Sequence, residues 1–188
     1  MTLSADDAEE QFREAFPHVE RIEDDDLREK TIQAWVMALR DNDVDDIGDL
    51  PWFPPAQEEF NLGTVRGIDH IRDVTELAIA MTEQLAESRA VEPSLDMVIA
   101  GALLHDVSKI YEFDGMASTP IEDLLGHPYY GIVITFEVGL PIELAHIVLC
   151  HSPQTNVEPA ILEARIVETA DEVAADVLVA EDSTELRR

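Results

Sequence analysis

Apolar residues recur along the first 50 residues at the spacing of two amphipathic helices. The spacing predicts helices over residues 5–16 and 27–40, and the second helix has one apolar face. That face consists of Ile32, Trp35, Val36 and Leu39. Residues 41–57 break the pattern with Gly48 and three prolines, which is typical of a loop or of a boundary between a helical arm and a main domain. We therefore expect an N-terminal helical extension with a Pro-rich loop over residues 1–57, and a main domain over residues 58–188.

Helical spacing continues through the main domain. It predicts helices over residues 68–86, from an N-cap at Ser94 onward, over 128–139, over 141–150 and over 158–181. The stretch GIVITF at 131–136 is the only β-like run, and no convincing alternation of apolar and polar residues indicates a strand. The predicted fold class is therefore all-α, without internal repeats or low-complexity segments.

The charge of the chain is strongly negative. Its 188 residues include 41 Asp and Glu against 12 Lys and Arg, for a net charge of −29, while 46% of the residues are hydrophobic. Such a chain can fold with its acids on the surface, and the excess indicates a halophilic cytoplasm, where salt screens self-repulsion. An ordinary acidic protein is the alternative. Non-specific binding to nucleic acid is not expected, because the sequence has no basic stripe.

Cys150 is the single cysteine, which excludes an intrachain disulfide framework and a cysteine-rich zinc site. The first residues, MTLSADDAEEQF, have neither the basic nor the apolar region of a signal peptide. No uninterrupted run of about 18 apolar residues occurs. We therefore expect a soluble, cytoplasmic protein that does not partner a membrane.

Histidines concentrate in the main domain. Five of the six fall between residues 70 and 151, and only two of these five share a predicted helix. They are His70, His105, His127, His146 and His151. Side chains from separate helices build the metal sites of helical bundles, and imidazole with carboxylate binds divalent Zn, Mn, Fe, Co or Ni without selecting sharply among them. Taken alone, His70 also fits a surface or hydrogen-bonded core histidine.

Two carboxylates join the candidate site. His105 and Asp106 follow the apolar run MVIAGALL, so the pair ends a buried helix, where an ionised carboxylate must be paired, hydrogen-bonded or metal-bound. A polar helix end is the alternative interpretation of this pair. Asp171 borders the apolar stripe of the last predicted helix. Asp176 lies about 140° further around that helix and points elsewhere.

The order of His70, His105 with Asp106, and Asp171 resembles the H…HD…D signature of the HD-domain metal-dependent phosphohydrolases. The stretch GALLHDVSK is similar to the ALLHDIGK form found in many members. The resemblance covers roughly residues 60–180. It implies an HD-domain-like helical bundle in which these four residues bind a metal ion.

Two further histidines bear on the subtype. His127 in GHPYYG and His151 in VLCHSP resemble the two extra histidines by which phosphodiesterase-like HD domains complete a second metal site. In that interpretation Asp106 bridges two ions. Cys150 stands where many of these relatives have a histidine, and Ser108 replaces the glycine of the commoner form. The first departure leaves the second metal site less certain than the first.

Three other residues compete for roles near the site. Lys109 follows the HD pair by about one helical turn, where it binds a substrate phosphate or is simply a solvated cation. Arg66 precedes His70 by four residues, on the same face of an extended helix, and is a candidate phosphate ligand. His146 lies about 140° around a helix from His151, so we expect it to be a packing or surface residue.

The resemblance implies a phosphohydrolase that attacks a nucleotide or another small phosphoester or phosphodiester with a metal-activated water. One or two divalent ions, Mn, Fe, Zn, Ni, Co or Mg, are expected, with Asp106 and Lys109 as catalytic residues and Arg66 and Lys109 as substrate-binding residues. An HD-like di-iron oxygenase and an inactive, ligand-binding regulatory module are the alternatives. The apolar stripe of the N-terminal arm packs on the domain or forms a homodimer.

Overall fold

The computed structural model describes residues 3–54, 65–114 and 117–182, with side chains up to residue 178. These ranges are mainly helical, which confirms the predicted fold class. Their α-helices are α1 (Ala5–Ala15), α2 (Asp25–Asp41), α3 (Gly67–Ser88), α4 (Leu95–Leu104), α5 (Pro120–Leu124), α6 (His127–Glu137), α7 (Ile142–Cys150) and α8 (Leu162–Asp182). Short 3₁₀ helices cover Pro17–Arg21, Ile47–Asp49 and Val107–Tyr111. None of these helices is long and apolar enough to cross a membrane.

Capping side chains fix where two of the helices begin. The carboxylate of Asp24 accepts a hydrogen bond from the backbone N–H of Leu27 at 3.0 Å, and the hydroxyl of Ser94 accepts one from Met97 at 3.3 Å. Each bond satisfies an N–H that has no partner inside the helix. The predicted N-cap at Ser94 is therefore confirmed, and α4 runs from it to the residue before the HD pair.

The β-like run at residues 131–136 lies inside α6. Gly131, Ile134 and Thr135 are buried, whereas Val133 and Phe136 are exposed, as expected for one buried face of a helix. Packing of that face against α7 decides the structure, because the strand preference of β-branched residues is weak and depends on context. Pro128 in the first turn is compatible with this helix.

The last helix begins four residues later than the predicted start at residue 158, because α8 starts at Leu162. Pro159 disfavours a helical conformation at Glu158, the residue before it. The backbone N–H of Ala160 donates instead to Nε2 of His146 at 2.9 Å. The segment before α8 is therefore tied to α7 and is not an extra helical turn.

Three short elements between residues 113 and 124 have no counterpart in the predicted pattern. Strand β1 (Phe113–Asp114) pairs with β2 (Ala117–Ser118) as an antiparallel ribbon, with Phe113 opposite Ser118. The five-residue α5 follows directly. Elements of this length are shorter than the window over which apolar periodicity can be recognised.

Aromatic residues of α1, of the boundary between α1 and the first 3₁₀ helix and of α2, all in the predicted arm, pack in one cluster with α4. Trp35 of α2 lies with its ring centroid 5.9 Å from Phe12 and 5.5 Å from Phe16. Its indole N–H donates to the carbonyl oxygen of Leu103 in α4 at 2.8 Å. All four residues belong to one buried cluster, apolar throughout. The boundary predicted near residue 57 falls outside the described residues, and the division into arm and domain stays a prediction.

Two glycines allow α7 to approach its neighbours closely. A Cβ on Gly101 of α4 would lie 2.7 Å from Cγ2 of Ile147, and a Cβ on Gly131 of α6 would lie 2.4 Å from Cγ1 of Val148. Real side chains do not approach at these distances. The two glycines therefore bring the end of α7 close to the ends of α4 and α6, where three candidate donors lie.

Acidic residues lie at the surface, as the composition predicts. In the described ranges the buried carboxylates are Asp106 and Glu112. Both lie beside buried histidines, with His105 fully buried and His127 3% exposed. Because burying a charge is costly without a partner, this concentration of polar groups marks a site.

Candidate metal centre

Five segments bring the predicted donors together. The donors lie in the first turn of α3, just after α4, at the start of α6, just after α7, and within α8. In that order they are His70, His105 with Asp106, His127, His151 and Asp171. All are buried except Asp171, whose side chain is 16% exposed. The sequence therefore places five of the six donors at helix ends, where side chains from separate helices can converge, and Asp171 in the middle of α8.

The first group of donors surrounds one carboxylate oxygen of Asp171. Its Oδ1 lies 3.0 Å from Nε2 of His70 and 3.8 Å from Nε2 of His105. The two Nε2 atoms are themselves 3.5 Å apart. Nδ1 of His105 lies 2.6 Å from the carbonyl oxygen of Ala102, so it carries the ring hydrogen and leaves the Nε2 lone pair facing the group.

Asp106 lies between this group and a second one. Its Oδ2 is 3.7 Å from Nε2 of His70 and 3.4 Å from Nε2 of His105. Its Oδ1 is 3.4 Å from Nε2 of His127 and 3.5 Å from Nε2 of His151. Each carboxylate oxygen therefore faces a different pair of histidines, which is the geometry of a bridging ligand.

His127 and His151 form the second pair, with their Nε2 atoms 3.2 Å apart. Nδ1 of His151 lies 2.7 Å from the carbonyl oxygen of Val148, and Nδ1 of His127 lies 3.2 Å from Oε1 of Glu112. Because each Nδ1 donates to oxygen, both Nε2 atoms carry lone pairs. Two facing lone pairs at this distance suit a shared cation.

The donors fit divalent metal ions. One group consists of His70, His105 and Asp106, a second consists of Asp106, His127 and His151, and in each group the donor atoms lie within 4.8 Å of one another. Ligands about 2.0–2.2 Å from one ion are separated by such distances. Oδ1 of Asp106 has no hydrogen-bond partner among the described residues, although it is buried. A cation would satisfy this oxygen, so the donor set is consistent with divalent metal binding.

Electrostatics prepares several donors for this role. Burial lowers the pKa of His70 and of His127, which keeps both rings neutral at neutral pH. Burial works against the charge of Asp171, but the hydrogen bond with His70 and the nearby rings hold its pKa at about 2. Neutral imidazole and ionised carboxylate are the forms that bind metal ions.

Asp106 and His105 each shift the pKa of the other. Burial opposes the charge of Asp106, yet Lys109 and His105 hold its pKa well below the usual range. Burial also opposes a charge on His105, but the carboxylate of Asp106 raises the pKa of that ring. Asp106 therefore remains ionised and attracts positive charge into the group, from a proton or from a metal ion.

Glu112 is a site residue that the sequence analysis did not identify. It is 1% exposed, and its Oε1 accepts from both the backbone N–H and Nδ1 of His127. A carboxylate in this position orients the ring and increases the basicity of its other nitrogen. One acid among 41 gives no signal in the sequence, and only its apolar neighbours Ile110 and Tyr111 hint at burial.

Lys109 lies in contact with the donors. Its Nζ is 2.6 Å from Oδ2 of Asp106, and it is positioned above the rings of Trp52 and Phe53 at 5.8 and 5.4 Å from their centroids. The side chain is 19% exposed and lines a cavity next to the donors. An ammonium group here can meet a negatively charged substrate at the metal centre.

Arg66 is directed to a different partner. It is the N-cap residue of α3, and its guanidinium donates to both carboxylate oxygens of Asp69 at 2.8 Å. The side chain is 48% exposed, and Arg66 is not among the described residues that line the cavity. The structure thus does not bring Arg66 together with the donors. A role in substrate binding requires release from Asp69.

The competing residues lie outside both donor groups. Nε2 of His146 accepts the backbone N–H of Ala160, so this ring has a structural partner. Cys150 is buried, and burial raises the pKa of its thiol to about 11, which keeps it protonated at neutral pH. Asp176 is exposed on α8. Donors beyond the six predicted residues are therefore absent from the two groups in the described part of the chain.

Buried histidines and aspartates converge here from five segments of a helical domain. Such an arrangement is typical of a class of metal-binding helical proteins. Residues 67–176 match the model of the HD domain family, and the chain belongs to this family. All six predicted donors fall within the matched residues. The coincidence of family match and donor geometry confirms the family resemblance found in the sequence.

The chain is also similar to the dihydroneopterin 2′,3′-cyclic phosphate phosphodiesterase of Methanocaldococcus jannaschii. The two sequences are 31% identical over 165 residues, which is 84% of this chain and 66% of the relative. The chain therefore spans less than two thirds of that protein. No solved structure gives a significant match.

Proposed function

We propose that the chain is a metal-dependent phosphohydrolase that hydrolyses a small phosphoester, with a phosphodiester such as a 2′,3′-cyclic phosphate as the leading candidate. The observation that carries the proposal is the position of Asp106, whose two carboxylate oxygens face two separate pairs of histidines. Membership of the HD domain family and the name of the M. jannaschii relative support the same class of reaction.

Divalent ions bound by the six donors would lower the pKa of a water and neutralise charge on the phosphoryl oxygens. Asp106 would hold ions in both groups, and Lys109, which contacts Asp106, would then be free to bind a phosphoryl oxygen. Hydrolysis adds the water oxygen to phosphorus and breaks one P–O bond, and the alcohol oxygen takes up the proton from the water. The alcohol leaves from an open ester, whereas in a cyclic phosphate it stays attached to the product. One or two ions of Mn, Fe, Zn, Ni, Co or Mg are compatible with these ligands.

The decisive experiment combines elemental analysis of the purified protein with hydrolysis of bis-p-nitrophenyl phosphate, p-nitrophenyl phosphate and a pair of cyclic nucleotides, one 2′,3′ and one 3′,5′. We expect bound metal and turnover of the diester, with preference for the 2′,3′-cyclic substrate. Asp106→Ala removes a ligand of both groups and is expected to abolish turnover and to reduce the bound metal.

Asp176→Ala is the matched control, because it removes an exposed carboxylate from the helix that also carries Asp171. This variant is expected to keep both metal and activity. A protein that remains metal-free after purification from metal-replete medium contradicts the proposal. Bound iron with oxygen consumption and no phosphoester turnover moves the assignment to the di-iron oxygenase.

A further inference from the structure

A cavity of about 330 Å³ opens beside the metal centre. Asp106 and Lys109 belong to its lining, and the rest of the described lining is mostly apolar. The volume lies at the lower end of the range for small-molecule sites, about 300–1,000 Å³. The cavity can therefore accept a group attached to a phosphate that is bound at Lys109.

We propose that this cavity binds a flat heteroaromatic ring of the substrate, through aromatic walls and through hydrogen-bond acceptors that read an N–H-bearing edge. The inference rests on the proposed phosphohydrolase function for the position of the phosphate. It adds the chemical class of the group that the phosphate carries.

Part of the cavity wall is aromatic. Both tryptophans of the chain, Trp35 and Trp52, line it together with Phe113. The indole N–H of Trp35 donates to Leu103, which holds the ring in place. Rigid aromatic surfaces stack on flat unsaturated rings and gain less from a sugar or a flexible alkyl chain.

Besides Asp106 and Lys109, three polar side chains of the described lining, Asn42, Thr119 and Asp114, offer acceptor atoms, and Asn42 also keeps one amide N–H that can donate. Nδ2 of Asn42 donates to the carbonyl oxygen of Ala38 at 2.9 Å, which leaves Oδ1 to accept. The hydroxyl of Thr119 donates to the carbonyl oxygen of Tyr111 at 2.6 Å and accepts the backbone N–H of Ile121 at 3.2 Å, which leaves one lone pair for a ligand. Asp114, exposed at the rim, has only acceptor atoms when ionised. A ring that bears an amino group next to a ring N–H matches these acceptors.

The charge of the cavity lining limits the number of phosphate groups that a substrate can carry. Lys109 is the sole cation among the described lining residues, and the chain carries a net charge of −29. A diphosphate or triphosphate would bring several negative charges to one lysine and the metal centre. A single phosphate, as a monoester or a cyclic diester, fits better.

The N-terminal arm supplies part of this ring site. Trp35 lies in α2, and Asn42 is the C-cap residue of the same helix. Both lie outside residues 67–176, the part that matches the family model. The metal donors and Lys109 thus belong to the family domain, whereas selection of the attached ring depends on the arm.

Binding and hydrolysis test the ring site separately. Guanosine, which carries no phosphate, is titrated into the protein while tryptophan fluorescence is recorded, since both tryptophans line the cavity. In parallel, kcat/KM is measured for the 2′,3′-cyclic phosphates of guanosine, inosine and ribose without a base. We expect saturable quenching, and kcat/KM about tenfold or more higher for guanosine than for inosine, because loss of the amino group leaves an acceptor unpaired. The baseless substrate should be weaker still.

Asn42→Leu is expected to lower the guanosine-to-inosine ratio by about tenfold, and Asn156→Leu, which changes an exposed asparagine, is expected to preserve it. One outcome overturns the ring site and leaves the proposed function intact. In that outcome the protein hydrolyses bis-p-nitrophenyl phosphate, guanosine does not quench its fluorescence, and the three cyclic phosphates are hydrolysed equally well. Quenching without any phosphoester turnover supports the ring site and contradicts the proposed function. The substrate series on the unmodified protein decides the matter if Asn42→Leu does not fold.

Discussion

The Nε2 atoms of His127 and His151 lie 3.2 Å apart, and both present the nitrogen that carries no hydrogen. Such a contact needs positive charge between the two rings. A proton could supply it only by charging one ring, and burial lowers the pKa of His127. A metal ion is therefore the better partner, and it would also satisfy Oδ1 of Asp106.

The first prediction is that divalent metal stabilises the fold. Metal ions that bind only the native state raise the free energy of unfolding, by about 2.7 kcal/mol at a free concentration 100 times the Kd. We expect the melting temperature to fall after treatment with a chelator and to recover when Mn²⁺ or Zn²⁺ is restored. Asp106→Asn should lose this response. Equal melting temperatures with and without metal contradict a metal centre here.

Glu112→Gln tests the carboxylate that orients His127. We expect metal affinity in the group containing His127 and His151 to fall by about 10–100-fold, since loss of such a carboxylate weakens the ligand it supports. Binding at His70 and His105 should change little. Calorimetric titration separates the two events, and Glu137→Gln, an exposed change on α6, is the control. Equal weakening at both groups would mean a general loss of structure.

Gly131→Ala tests the close approach of α6 and α7. The new Cβ would lie 2.4 Å from Cγ1 of Val148, so we expect destabilisation of about 1–3 kcal/mol from overpacking. Adding Val148→Ala should recover part of this loss, although that change alone is destabilising. Chemical denaturation of the four proteins measures the coupling. Strictly additive costs would show that the two side chains do not collide.

Cys150 is expected to resist alkylation. Because burial raises the pKa of its thiol to about 11, almost no thiolate exists at pH 8 in the native protein. Reaction with iodoacetamide should be slow in buffer, fast in denaturant, and faster in buffer as the pH rises toward the pKa. Cys150→Ser should keep the full metal content. Rapid native alkylation blocked by metal would instead make Cys150 a ligand.

The acidic surface leads to a prediction about salt. With a net charge of −29, self-repulsion opposes the compact state, and salt shortens its range from about 10 Å at 0.1 M to about 3 Å at 1 M. We expect the melting temperature to rise between 0.1 and 2 M KCl. Glucose at equal osmolality is the control for effects that do not depend on charge. An unchanged melting temperature in KCl argues against adaptation to a salty cytoplasm.

Local patterns in the sequence were sufficient for most helices and for the histidines and aspartates that the structure brings together. The apolar run before His105 and Asp106 predicts a buried pair, and the structure places that pair at the end of α4. Spacing alone did not show that Asp69 engages the guanidinium of Arg66, and the role of Arg66 in substrate binding stays a prediction. Spacing was misleading before α8, where Pro159 delays the helix.

Contacts between distant parts of the chain account for what the sequence did not predict. Glu112 becomes a partner of His127 only when the 3₁₀ helix after Asp106 packs on α6. The cavity beside the donors likewise needs both Asn42, at the end of α2, and Phe113, in β1, in its wall. Periodicity reports which residues share a face of one element, and it carries no information on which elements meet.

The bond from Trp35 to the carbonyl of Leu103 has a consequence for how the molecule unfolds. This carbonyl lies near the end of α4, two residues before His105, where the last carbonyl oxygens of a helix have no N–H donor within the helix. Loss of the arm would leave the carbonyl oxygen of Leu103 without a hydrogen-bond donor inside the core, and it would weaken the packing that holds the donors in place. The arm and the helices that carry the donors should therefore unfold in one cooperative transition. A chain that begins at residue 58 should not show this transition.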